Sequence, residues 1–425
     1  MNDASRGRPV TLVFTQMTRR AHYAGRRGDL RAIASQALNS LSNFLVLAAA
    51  LWLPLDSYGA LAAGVVVYVS VVGGVRAFIL EPFTARAALA SSGRRALAPV
   101  AALILPMSVA VLVVAQVAGD PLAPVLTLLA LGLPIIALQD VGRYAAFARG
   151  RPGAAMVSDA GWVVFFIGAL AVVRASDQPL SAEMMFAAWL GAGALSAAVL
   201  LPLVVARPTS RVPRLTRFDL GFGVDYLLGP LLLQAVQLTL VAIIPLAAYG
   251  QLRVATTVMG PVTVLFTATT SALVAFAVEQ NAISATALAS WLRRLRMGLV
   301  AVVGSYSLLV ATAVATGAAF LPSSVRQSAF LLVPVGLGNV ILAFDTPLIL
   351  RLKACGYYAI LARARAMQAV VALTAPLAAS WWGVAGAAWA LSGCVLAGYL
   401  VRVGLSNHRG LAPDVEPRTA GVAGR

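Results

Sequence analysis

The chain has 425 residues, of which 60% are hydrophobic and only 11% are charged, with a formal net charge of +17. Soluble domains carry about 25% charged residues to cover their surface, so this composition excludes a water-soluble domain and indicates a protein that faces lipid. The positive charge does not indicate nucleic-acid binding, because the arginines are dispersed among many short connections instead of forming one basic surface.

Long apolar segments recur along the whole chain. About 20 apolar residues cross the hydrocarbon core of a bilayer as a helix, and lipid offers no partners for an open backbone, so helices are required. We therefore predict an all-α integral membrane protein with twelve transmembrane helices. The predicted helices of the first half are 34–53, 60–80, 97–117, 122–139, 156–173 and 182–205. Those of the second half are 225–247, 252–278, 298–320, 328–350, 366–382 and 384–403.

Arginine placement predicts which side each connection faces. Cytoplasmic loops are enriched in Lys and Arg, and most of the 32 basic residues fall in the two tails and the even-numbered connections. This predicts a multi-pass protein of the cytoplasmic membrane with both termini in the cytoplasm. The predicted units are a basic cytoplasmic tail, a six-helix lobe, a polar cytoplasmic linker, a second six-helix lobe and a cytoplasmic tail, at 1–33, 34–206, 207–224, 225–405 and 406–425.

A short motif occurs once in each predicted lobe. The pairs Tyr58-Gly59 and Tyr249-Gly250 lie 191 residues apart, each in the turn between the first and second helix of its lobe. Because each lobe has an even number of helices, the lobes would be parallel repeats related by an axis along the membrane normal.

Metal, redox and cofactor chemistry have no support in the sequence. The chain has 2 cysteines and 2 histidines, and the histidines, His22 and His408, lie in the tails. Neither a disulfide framework nor a metal cage is expected from such a set, and no cofactor is predicted.

Charged residues within the predicted helices are the first candidates for function. An ionisable group in the hydrocarbon costs roughly 2.5–3.5 kcal/mol on insertion scales, and those that persist usually face a cavity or one another. The candidate basic residues are Arg76, Arg143 and Arg253, and the candidate gating or ion-coupling residues are Glu81, Asp140 and Asp345. A further acidic residue, Asp159, begins helix five.

Spacing suggests how some of these charges meet. Asp140 and Arg143 are three residues apart and share a helix face, and Arg76 can pair with Glu81 or with Asp140 on a neighbouring helix. Two interpretations stay open. The charges form an ion-pair network that fixes packing or gates a passage, or Arg76 and Arg143 bind a phosphate at the cytoplasmic mouth.

Amide side chains form a polar stripe on helix one, where Asn39 and Asn43 lie one turn apart, and Gln234 and Gln237 occupy helix seven. These amides either line a hydrated passage or bond across packed helices. Asn39, Asn43 and Gln234 are therefore candidate substrate-binding residues.

Four segments resemble the polysaccharide transporters, the lipid-linked oligosaccharide flippases of the multidrug/oligosaccharidyl-lipid/polysaccharide exporter superfamily. They are residues 36–43 with Tyr58-Gly59 and 76–82, then 138–152, then 249–261, and then 383–389. The resemblance spans the membrane region and lies in the order of loosely matching segments, without a catalytic signature. This chain departs from the better-known members of that family because it has no cluster of basic residues in the middle of helix one or seven.

The resemblance implies two six-helix lobes around a partly cationic cavity, which carries the headgroup of a polyprenyl-pyrophosphate glycan while the lipid tail stays in the bilayer. By position, Arg76, Arg143 and Arg253 would contact that headgroup. The implied partners are membrane lipids, the lipid-linked glycan and glycan-assembly proteins.

Two other functions are considered. An ion-coupled exporter of drugs or small solutes, from the same superfamily, would use buried carboxylates, with Asp345 the best candidate and Asp140 the second. A membrane-bound glycan polymerase or glycosyltransferase is less favoured, because the predicted outer connections are short and their acidic residues are scattered. We therefore predict a transporter that is not an enzyme.

Overall fold

The computed structural model describes residues 26–85, 94–176, 179–205, 226–227, 231–273, 277, 280–281, 283–318 and 321–408. The predicted linker at 207–224 and most of both predicted tails lie outside the described residues. Within these ranges every regular element is helical.

The first lobe contains six helices in the predicted order. The helix Leu55–Val75 continues through a π-helical turn, Arg76–Leu80, into a last segment, Glu81–Ala85. The helices are α1 (Arg26–Ala49), α2 (Leu55–Val75), α3 (Arg94–Val117), α4 (Leu122–Ala148), α5 (Pro152–Ala175) and α6 (Ala182–Val205).

The second lobe follows with six more. Helix α8 has two segments, Leu246–Val258 and Gly260–Ala272, and a short helix (Ser323–Gln327) precedes the helix that begins at Leu332. The other helices are α7 (Leu232–Ile243), α9 (Ala285–Ala315), α10 (Leu332–Ala354), α11 (Tyr358–Ala379) and α12 (Gly383–His408).

Nine segments of the described chain are long and apolar enough to cross a membrane, and one of them, Ala359–His408, contains both α11 and α12. The described part of α7 is a shorter apolar helix of 12 residues. The remaining predicted span, α8, is divided at Met259, because Pro261 has no backbone N–H to donate to the carbonyl four residues earlier.

Several predicted helix ends are wrong by a few turns. Helix α9 begins at Ala285, before the predicted start at 298, and α11 begins at Tyr358, before the predicted start at 366. Both early segments carry arginines, which the sequence analysis placed in connections. Arginine side chains reach the headgroup region from a helix that extends beyond the hydrocarbon, and the 31 residues of α9 span about 46 Å against a core of about 30 Å.

The two lobes repeat one packing pattern. In the first lobe α2, α3 and α6 pack against α4, and α1 packs against α5. In the second lobe α8, α9 and α12 pack against α10, and α7 packs against α11. The turns after α4 and α10 also match, since each has a glycine with positive φ, 66° at Gly150 and 75° at Gly356.

The lobes meet where the repeated Tyr-Gly pairs lie. Helices α2 and α8 both begin after a proline, Pro54 or Pro245, and cross at Gly59 and Gly250. A Cβ atom on Gly59 would lie 2.4 Å from the Leu246 carbonyl oxygen, so the crossing needs glycine. The sequence repeat therefore marks a backbone contact between the lobes.

Candidate functional site

Asp140 lies at the centre of a buried charge cluster in the first lobe. Its carboxylate accepts two hydrogen bonds from Arg76, from Nε at 2.7 Å and Nη2 at 2.8 Å. Arg143 Nη1 donates to the same carboxylate at 3.0 Å. The Asp140 and Arg143 side chains are 0% and 1% exposed, whereas that of Arg76 is 20% exposed. The cluster therefore contains one arginine that reaches its surface and one that does not.

A second carboxylate completes the cluster. Arg143 Nε lies 2.9 Å from Asp159 Oδ1, and Gln139 Nε2 donates to the same oxygen at 3.2 Å. The hydroxyl of Ser35 on α1 donates to the other oxygen of Asp159. The cluster joins α1, α2, α4 and α5, and its two arginines balance its two aspartates. Balanced, hydrogen-bonded charges are the form in which ionic groups are tolerated away from water.

The local backbone positions Arg76 at the start of a π-helical turn. The backbone N–H of Glu81 donates to the Arg76 carbonyl, five residues earlier. The next residue, Pro82, has no N–H, and its ring crowds the carbonyl four residues before it. The wider turn accommodates the proline, and π-helical bulges are frequent at functional sites.

Two further polar groups lie near Arg76. The Asn39 Oδ1 atom accepts from Arg76 Nη2 at 3.4 Å, while the buried Asn39 Nδ2 has no hydrogen-bond partner among the described residues. The Glu81 carboxylate accepts from the Tyr144 hydroxyl at 3.5 Å. Of the two pairings considered from the sequence, the structure shows Arg76 with Asp140, and Glu81 remains at the border of the cluster.

The second lobe has a separate ion pair. Arg402 on α12 donates two hydrogen bonds to Asp345 on α10, one of them from Nε at 2.7 Å. Its Nη1 also donates to Gln368 Oε1 on α11 at 3.3 Å. Asp345 is 1% exposed and Arg402 4% exposed. Sequence reasoning missed Arg402 as a partner because its charge was counted with the basic C-terminal end, although position 402 lies within the predicted helix 384–403.

Arg253 lies on α8 at the lobe interface, apart from both clusters. Its buried Nε has no hydrogen-bond partner in the described part of the chain, and no carboxylate there lies within salt-bridge distance. One turn after Arg253 on α8, Thr257 Oγ1 accepts a hydrogen bond from the hydroxyl of Tyr58 on α2 at 2.7 Å. Among the described residues, Arg253 is thus a cation without an anion, at the place where the two lobes touch.

The candidate amides are distributed between α1 and α7. Asn43 Oδ1 and Gln237 Oε1 are buried without a hydrogen-bond partner among the described residues, and Gln234 is half-buried on α7. The described part of the chain contains no group of three or more His, Cys, Asp or Glu side chains that could hold a metal ion. Among the described residues, the buried charged groups are therefore arginines and the aspartates that they neutralise.

Comparison with solved structures places this architecture among known folds. The lipid II flippase MurJ, in an inward closed conformation, matches with a TM-score of 0.64 and 10% identity over 90% of this chain and 88% of that chain. An inward-facing multidrug resistance transporter of the MATE family matches with a TM-score of 0.58 and 14% identity, over 88% of this chain and 94% of that chain. The chain has the fold of the MOP superfamily transporters.

A third similar structure belongs to a transporter described by the reversed polarity of its binding pocket. A MOP superfamily transporter from Pyrococcus furiosus, for which a reversed polarity of the binding pocket suggests a different function, has a TM-score of 0.54 and 15% identity, over 90% of this chain and 92% of that chain. No family model and no curated protein sequence matches the chain. The predicted fold is confirmed: a multi-pass, all-α membrane protein of the twelve-helix, two-lobe type.

Proposed function

We propose that the protein moves a polyprenyl-pyrophosphate-linked oligosaccharide across the cytoplasmic membrane by alternating access, with its arginine-rich ends in the cytoplasm. The observation that carries this proposal is a charge asymmetry within the described spans. Asp140, Asp159 and Asp345 are each neutralised by an arginine, whereas Arg253 at the lobe interface has no carboxylate partner there.

An unpaired arginine favours an anionic substrate. Guanidinium groups bind phosphates through two parallel, charge-assisted hydrogen bonds. Arg253, near the lobe contact, and the partly exposed Arg76, at the other end of α2, would each supply such a group along the passage. A pyrophosphate brings the negative charge that Arg253 does not find among the described residues. The amides of Asn39, Asn43 and Gln234 would bond the sugar hydroxyls, and the lipid tail would remain in the bilayer.

A cation exporter is the second candidate, because MATE-family multidrug transporters are also similar in structure. Such a protein needs a carboxylate free to bind a cation or a coupling ion. Asp140 and Asp345, the two candidates for that role, are both held by two hydrogen bonds from an arginine. Glu81 is the one candidate carboxylate without an arginine in salt-bridge distance among the described residues. Resistance to cationic drugs in a sensitive host would favour this function.

Binding of a lipid pyrophosphate tests the proposal. The protein, in phosphatidylcholine nanodiscs, would be titrated with undecaprenyl pyrophosphate and with uncharged undecaprenol, and binding followed by tryptophan fluorescence. We expect tight binding of the pyrophosphate only. Arg253→Gln should weaken it about tenfold or more, since hydrogen bonds to charged groups contribute roughly 1.5–3 kcal/mol.

The matched control is Arg326→Gln, which removes an exposed arginine from the short helix Ser323–Gln327. This variant should bind like the wild type. Equal affinity for undecaprenol, or an Arg253→Gln protein with unchanged affinity, would contradict the proposal. Elongation of an added lipid-linked glycan by the purified protein would instead indicate an enzyme.

A further inference from the structure

We propose that Asp140 is an internal competitor of the substrate's phosphate for Arg76, and that Arg143 makes the exchange possible by keeping Asp140 paired when Arg76 leaves. This inference rests on the proposed function and specifies how the anion is received. Arg76 and Arg143 thereby have different tasks. Arg76 binds the anion, and Arg143 is a positioning residue.

Arg76 is the member of the cluster able to exchange partners. Its side chain is 20% exposed, against 0–1% for Asp140, Arg143 and Asp159. Its bonds to Asp140, at 2.7 Å and 2.8 Å, have the paired geometry with which a guanidinium also binds a phosphate. Its remaining contact, with Asn39, is longer at 3.4 Å. A phosphate on the exposed side can therefore offer Arg76 the same paired geometry once the guanidinium turns away from Asp140.

Arg143 determines what this exchange leaves behind. An uncompensated buried carboxylate is strongly unfavourable, so Arg76 could not leave an Asp140 that had no other cation. Arg143 Nη1 remains 3.0 Å from Asp140, and its Nε is held by Asp159 at 2.9 Å. The 1% exposed Arg143 is thus fixed in place by a second carboxylate and compensates the first.

The exchange also affects α2, the helix that contacts the other lobe. The Arg76–Asp140 pair joins the end of α2 to α4, while the beginning of α2 contacts α8 at Gly59 and Tyr58. Transfer of Arg76 from Asp140 to a phosphate removes the ionic link between α2 and α4. Anion binding would in this way loosen the helix through which the two lobes touch.

Two neutralising substitutions at neighbouring residues test the inference, because they should change affinity in opposite directions. In the nanodisc titration with undecaprenyl pyrophosphate, Asp140→Asn removes the competitor and should tighten binding about tenfold, a typical coupling between sites. Arg143→Gln leaves Arg76 as the only cation on Asp140 and should weaken binding about tenfold. Arg143→Lys, which keeps the charge, should remain close to the wild type. A purely structural cluster would lose affinity in both neutral variants.

The outcomes separate this inference from the proposed function. If the wild type binds undecaprenyl pyrophosphate and the affinity changes in the same direction in Asp140→Asn and Arg143→Gln, the exchange is overturned. The substrate assignment then remains intact. Absence of pyrophosphate binding by the wild type overturns both. If Asp140→Asn does not accumulate as folded protein, the contrast between Arg143→Gln, which should weaken binding, and Arg143→Lys, which should not, still tests the inference. Inorganic pyrophosphate as a second probe distinguishes a free anion from a lipid headgroup.

Discussion

The two lobes share one packing pattern but differ in their buried charges. The first lobe holds two arginines and two aspartates from three helices, and one arginine of this set reaches the surface of the cluster. Among the described residues, the buried charges of the second lobe are one pair, Asp345 and Arg402, that is at most 5% exposed. A sealed pair can fix helices together, whereas a cluster with an exposed member can also exchange partners. The repeat explains the shared fold, and the charges differentiate the lobes.

The largest expected effect is on stability, in the second lobe. Arg402→Met leaves the buried Asp345 without a cation and should lower the free energy of unfolding by about 3–5 kcal/mol. The double variant Asp345→Leu/Arg402→Met removes both charges and should recover most of this loss. Thermal unfolding of the purified proteins measures both. Folded protein of either variant should keep its pyrophosphate affinity, and a large loss of affinity in the double variant would give the second lobe a part in recognition.

The next effect concerns the lobe contact. A Cβ atom on Gly250 would lie 2.0 Å from the Leu55 carbonyl oxygen, so Gly250→Ala must separate α2 from α8. Overpacking of this kind costs about 1–3 kcal/mol. Spin labels at exposed positions near the beginnings of α2 and α8 should report a longer distance in this variant. Gly191→Ala is the control, because a Cβ there meets nothing within 4 Å, and it should leave the distance unchanged.

The smallest effect separates two tyrosines at equivalent places in the repeat. The Tyr58 hydroxyl bonds to Thr257 at 2.7 Å, whereas the buried Tyr249 hydroxyl has no partner within the described ranges. Tyr58→Phe should therefore lower the free energy of unfolding by about 1 kcal/mol, the usual contribution of a hydrogen bond. Tyr249→Phe should leave it unchanged or raise it. Equal losses in the two variants would show that Tyr249 also has a partner in the membrane.

The sequence predicted the helices better than their ends. Twenty-residue apolar runs leave few alternatives in lipid, and the order and approximate positions of the helices follow from them. The ends of α9 and α11 could not be read from hydropathy, because arginines occur in helix turns outside the hydrocarbon as well as in loops. The break in α8 at Met259 was missed although Gly260 and Pro261 mark it.

The charged residues were found more easily than their partners. Arg76 and Asp140 were identified because buried charges are rare in membrane helices, and their contact was one of two pairings the spacing allowed. Arg402 was missed because arginines near the C-terminus also carry the topology signal. The partner with which each charged residue pairs depends on the rotation of its helix and on residues distant in sequence. Asp345 and Arg402, which are 57 residues apart, illustrate this limit.

The most direct test of the account is flipping itself. Proteoliposomes of phosphatidylcholine would contain a fluorescent polyprenyl-pyrophosphate oligosaccharide, and an impermeant quencher would report how much of it exchanges between leaflets. We predict exchange that depends on the wild-type protein, is strongly reduced in Arg76→Ala and Arg253→Gln, and is absent for the same oligosaccharide on an uncharged lipid. Equal exchange of the charged and uncharged lipids, or full activity of either arginine variant, would contradict the proposed mechanism.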